Sequence, residues 1–128
     1  MAEGKFVTAI NCMDGRTQRP VSDWMKEKFG ADYVDTITEP GADKALTDSP
    51  QWQVDSIKAR TLISVNGHGS DVVAVVSHHD CAGNPVSKKQ HLEMTRKAVE
   101  VVSSWNLPVK VLGLWVGEDW SVEVIFEK

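Results

Sequence analysis

The sequence predicts an α/β fold: a mainly parallel four-stranded sheet with helices on both faces and an antiparallel edge strand at its C-terminal end. Three observations predict it. Short β-rich runs alternate with helical stripes in the order βαβαβαβ. Val72 to Val76 is an unbroken apolar run, the pattern of a strand covered on both faces. Finally, Trp120, Val122, Val124 and Phe126 alternate with mostly polar neighbours after the turn Gly117-Glu118-Asp119, as an edge strand does.

Lys5 to Ile10 reads as the first strand. A helix is expected to open at Arg19-Pro20, because proline at a first helical position loses no hydrogen bond. Val21, Trp24, Met25 and Phe29 share one face of it, and Gly30 suits its end. Tyr33 to Thr38 reads as the second strand, followed by a loop with Pro40-Gly41. Ser49-Pro50 then opens a helix whose stripe is Val54, Ile57, Thr61 and Val65, ended by Asn66-Gly67. After the third strand, Ser87 and Gln90 have the spacing of a capping box. Met94, Ala98, Val101, Val102 and Trp105 form the next stripe, and Pro108 separates it from a fourth strand, Val109 to Val116.

A chain of 128 residues fits one compact domain spanning 1–128 and can hold its core without disulfides. Its 41% hydrophobic and 25% charged residues give an ordinary globular balance, which argues against disorder. The net charge of −4, with bases scattered among acids, suggests neither a nucleic-acid footprint nor a membrane face. No apolar run is long enough to span a bilayer, and the N-terminus does not resemble a signal peptide. A cytoplasmic location is therefore expected. In that reducing setting, two cysteines favour metal binding or burial over a disulfide.

Two short segments could carry chemistry. Cys12-Met13-Asp14-Gly15-Arg16 leaves the end of strand one, where alternation in an extended segment would turn Cys12, Asp14 and Arg16 towards one site. His78-His79-Asp80-Cys81 leaves the end of strand three, and its His-x-x-Cys spacing is common among metal ligands. Ligands of open α/β sheets bind beyond the carboxyl ends of the strands, where strand order reverses. A lone cysteine is usually a small buried apolar residue, and a histidine after a strand is usually structural. The two segments together favour a metal site of Cys12, His78 and Cys81. Zinc suits thiolate and imidazole, and three protein ligands leave a fourth position for water, which loses a proton near pH 7. Arg16 would then hold Asp14 ionised, and Asp14 would accept a hydrogen bond from the nucleophile.

Cys-x-Asp-x-Arg followed by His-x-x-Cys on this scaffold resembles the β-carbonic anhydrase family. The resemblance covers most of the chain. It makes Cys12, His78 and Cys81 the zinc ligands and Asp14 and Arg16 the catalytic pair. It implies a sheet order of 2-1-3-4 with an added edge strand, and one Zn2+ per chain. The activity it implies is reversible hydration of carbon dioxide to bicarbonate by zinc-bound hydroxide, in a homodimer or larger homo-oligomer. The chain departs from the family in three places. Strand one begins almost at once, where members usually carry N-terminal helices; the chain reads Glu39-Pro40-Gly41-Ala42 where members resemble Arg-Asn-Ala-Gly, and is short between His-x-x-Cys and the last helix. Three alternatives stay open: hydrolysis of carbon disulfide or carbonyl sulfide at the same site, a zinc-binding regulatory module without catalysis, and a reduced protein without metal whose two cysteines are packing or redox groups.

Other polar residues have plainer expectations. His79 and Asp80 could shuttle protons, but solvation in a turn is the commoner role. Asp43 and Lys44, in the altered loop, could face the pocket, but a solvated loop pair is the commoner case; His68 is expected as a complement to a helix dipole, and His91 on a helix surface. Of the five tryptophans, Trp24 and Trp105 fall on helix stripes and are expected to pack.

Overall fold

The structure is a computed structural model and describes residues 2–128. Its elements are β1 (Phe6–Cys12), α1 (Gly15–Phe29), β2 (Tyr33–Glu39), α2 (Ala42–Thr47), α3 (Gln51–Leu62), β3 (Val72–His78), α4 (Lys88–Ser103), β4 (Lys110–Val116) and β5 (Val122–Glu127). One sheet runs in the order β2-β1-β3-β4-β5. The first three neighbouring pairs are parallel, and β5 returns antiparallel along β4, as the alternation from Trp120 predicts.

Side chains alternate across each strand, so the sheet builds two cores. On one face, Ile10, Val73, Val75 and Val111 pack with Leu46, Ile57, Ala98 and Val102 from α2, α3 and α4. On the other, Val7, Ala9, Ala74, Val76 and Leu114 pack under Val21 and Met25 of α1. Every residue of β3 is buried, which is why its sequence shows no alternation.

Three local expectations change. Helix α1 begins at Gly15 rather than at Pro20, because Asp14 takes the N-cap position and its carboxylate accepts from the Arg16 backbone N–H. Pro20 therefore lies inside α1 and withholds the N–H that the Arg16 carbonyl would otherwise accept from. A six-residue helix, α2, follows Pro40-Gly41 directly, where an unbroken loop was expected. The helix after Pro50 ends at Leu62 and widens into a π-type turn, Ile63–Gly67. The capping box at Ser87 and Gln90 forms as expected, and Gly30 ends α1 in the left-handed conformation.

Candidate metal centre

Strands β1 and β3 are parallel neighbours, so Cys12 and His78 end at the same rim of the sheet. The next turn folds Cys81 back to them. The ligand atoms of Cys12, His78 and Cys81 all lie within 4.8 Å of one another, and all three residues are buried. The two sulfurs are 3.9 Å apart. Two sulfurs each about 2.3 Å from a tetrahedral zinc would lie about 3.8 Å apart, so the spacing fits that ion. His78 Nδ1 donates to the His79 carbonyl oxygen at 2.6 Å, which fixes the tautomer and leaves a lone pair on Nε2. That Nε2 is buried without a protein partner. An orphaned imidazole nitrogen beside two thiols is the donor set of an open three-ligand zinc site.

The local electrostatics already favour a cation. The Cys12 thiol is lowered to about 4, first by the Cys81 thiol beside it, then by His78 and by the Gly41 N–H, against the cost of burial. Gly41 N lies 3.5 Å from Cys12 Sγ. Cys81 is pushed upward because the pair retains one proton between its two sulfurs, and burial adds to that. Burial also works against a charged His78 ring, but the adjoining Cys12 thiolate and His79 carbonyl outweigh it and raise its pKa. A metal cation would release the remaining proton, since coordinated thiols ionise outright.

Asp14 and Arg16 come together, but not through strand alternation. Asp14 caps α1 and Arg16 stands in its first turn. Arg16 Nη2 donates to Asp14 Oδ2 at 2.7 Å, and Nε lies 3.1 and 3.2 Å from the two carboxylate oxygens. This side-on pair, with the Arg16 backbone N–H, lowers the Asp14 carboxyl to about 2 and raises the arginine further.

Residues 2–126 match the model of a protein family described as "Putative carbonic anhydrase". This chain belongs to that family. Its fold is that of the β-class enzymes. It is similar to the β-carbonic anhydrase isoform I of Trichomonas vaginalis, with TM-score 0.64 and 14% identity over 94% of this chain and 82% of that one. A carbonic anhydrase from Glaciozyma antarctica gives 0.63 and 16% over 94% and 81%. One of two tetrameric β-carbonic anhydrases from Sordaria macrospora gives 0.61 and 10% over 96% and 81%. No curated protein sequence matches the chain.

The Glu39–Ala42 segment, where this chain departs from the β-carbonic anhydrase pattern, is tightly packed. The loop after β2 presses on the loop after Cys81 so closely that a Cβ on Gly83 would lie 2.7 Å from the Pro40 carbonyl oxygen. A Cβ on Gly41, which has φ +72°, would lie 2.9 Å from Asn84 Cβ. Behind this contact Asp43 is buried, contrary to its expected solvation. It accepts from His91 Nδ1 at 2.6 Å and from Asn84 Nδ2 at 3.1 Å. His91 is likewise buried, against Trp115, not on the helix surface. Its place was readable: His91, Thr95, Ala98 and Val102 fall on one helical stripe. Asn84 had no such signal. The network ties α2, α4 and the Cys81 loop together, and with them the Gly41 N–H that faces Cys12.

The remaining polar expectations divide. Lys44 is exposed, as anticipated. Asp80 is exposed but pairs with Arg16, and His79 packs on Trp120 at 4.5 Å between ring centroids. His68 stands at the C-terminal end of the π-type turn, as expected; its Nδ1 donates to Asp35 at 2.6 Å, and its ring stacks on Phe6. Trp24 and Trp105 pack against the two cores.

Proposed function

We propose that this chain catalyses the reversible hydration of carbon dioxide to bicarbonate, with one zinc ion held by Cys12, His78 and Cys81. The convergence of those three buried ligand atoms at the rim of β1 and β3 carries this reading. Zinc bound there would act as a Lewis acid that makes water nucleophilic near neutral pH. Arg16 keeps Asp14 ionised throughout that range. Asp14 can therefore only accept a hydrogen bond, so it orients the nucleophile without competing to protonate it. The bond from His78 Nδ1 to the His79 carbonyl orients the ring so that Nε2 would face the ion, and the Gly41 N–H supports the Cys12 thiolate.

The reading includes a single domain over residues 1–128 and a homo-oligomer of at least two chains. The tetrameric relatives from Sordaria macrospora support assembly. No helix among the described residues is long and apolar enough to cross a membrane.

Zinc content and stopped-flow carbon dioxide hydration, measured on one sample, test the proposal. About one zinc per chain is expected, with turnover that Asp14→Ala lowers on the order of 100-fold while zinc is retained. Zinc without hydration would leave the metal site standing and remove the activity. No zinc after reconstitution would remove both.

A further inference from the structure

Three residues, Asp14, Asp80 and Trp120, meet the Arg16 guanidinium. One edge binds Asp14. Nη1 reaches Asp80 Oδ2, and Nη2 reaches the Asp80 carbonyl, both at 3.2 Å. Its central carbon, Cζ, lies over the Trp120 ring, 4.9 Å from the centroid. Trp120 arrives from the turn between β4 and β5, on the opposite side of the sheet order from β2. Both of these distant partners hold left-handed backbones, with φ +53° at Asp80 and +64° at Trp120. For residues other than glycine such backbones cost on the order of 1–3 kcal/mol and persist only where surroundings enforce them.

The turn that enforces Trp120 is visible. Asp119 Oδ1 accepts from the Ser121 N–H at 3.0 Å and from its hydroxyl at 2.7 Å. Trp120 N donates to the Gly117 carbonyl, and Gly117 N to that of Ser121. The indole also packs on His79 and against the core beneath α1. We propose that Trp120 is a positioning residue that, with Asp80, clamps Arg16 against Asp14. An Arg–Asp pair as exposed as this one holds its geometry weakly by itself. An aromatic ring over the cation and a second acceptor on its free edge remove the rotations that would release Asp14. The clamp rests on the reading of Asp14 as the orienting carboxylate.

The test follows the Arg16 Nε–H by 15N NMR in the zinc-reconstituted protein, a signal independent of turnover. In the wild type it is expected to exchange slowly with solvent. Trp120→Leu is expected to speed that exchange about 10-fold or more while the amide signals of α1 keep their positions, with Trp120→Phe restoring most of the protection. Asp80→Asn, at an exposed side chain whose loss does not threaten folding, is expected to speed it about threefold. Unchanged exchange in Trp120→Leu overturns the clamp. Should that variant not fold, unchanged exchange in both Trp120→Phe and Asp80→Asn overturns it equally. A protein that never hydrates carbon dioxide but shows these exchange rates keeps the clamp and loses the function.

Discussion

The two ends of this sheet carry polar networks of similar make and opposite character. Towards the amino end, Thr8, Ser64 and Ser70 link through their hydroxyls, and Ser64 and His68 both donate to Asp35. No buried side-chain polar atom of that network lacks a partner among the described residues. At the carboxyl end, Asp43, Asn84 and His91 form a second network beside Cys12, His78 and Cys81. There His78 Nε2, His79 Nε2 and His91 Nε2 are buried with no protein partner. A closed network stabilises a fold. Buried nitrogens left open need something else to meet them. The comparison separates scaffold from site without reference to any relative.

The strongest way to break the comparison is to remove a donor at each end. Cys81→Ser is expected to weaken zinc binding by more than about 100-fold, beyond the roughly 10–100-fold typical of outer-shell partners. Thr8→Val, inside the closed network, should leave zinc affinity unchanged. Titration against a chelator measures both, and wild-type affinity in Cys81→Ser would remove that residue from the ligand set.

The two His–Asp pairs sharpen the contrast, because each spans 2.6 Å and only burial distinguishes them. Side chains of His91 and Asp43 are 2% and 1% exposed, those of His68 and Asp35 35% and 25%. Removing one partner of a buried pair strands the other in low dielectric, at roughly 3–5 kcal/mol. His91→Ala should approach that cost, while His68→Ala should cost about 1 kcal/mol. Urea unfolding of the metal-free protein measures the two, and equal losses would show that burial does not set their worth.

How much of this was legible follows from the range of each interaction. The buried run of β3, the capping box at Ser87 and the antiparallel β5 are local patterns, and each formed where the sequence places it. The three convergent ligand residues were legible because strand ends and ligand spacing are also local. Helix α2 was not, since six residues give too short a stripe to show a period. Asp14 was read as a site residue and not as a helix cap, because Pro20 offered a competing start signal. Its carboxylate caps the helix and pairs with the Arg16 guanidinium at once. Asp43 and Trp120 act through partners far away in the chain, and no local pattern announces such pairs. His91 stood on a readable stripe, but its charged neighbours suggested a surface.

The smallest effect concerns the Asp14–Arg16 pair, where pH isolates charge from capping. Asn at position 14 can still cap α1, so Asp14→Asn removes the ion pair and little else. The folded carboxyl is depressed to about 2 from an ordinary 3.8. A depressed acid stabilises the fold above its unfolded pKa and loses that contribution as pH falls through the folded one. Because the pair is partly solvated, its worth at about pH 5 is at most about 1 kcal/mol, a shift of about 3 °C in unfolding midpoint. Measured on the metal-free protein, the gap between wild type and Asp14→Asn should therefore be constant above about pH 5 and close as pH falls through about 2. A gap that persists at the acid limit would mean that the asparagine perturbs the cap itself. The stabilisation would then belong to the helix terminus, and the carboxylate's charge would be left wholly to the site.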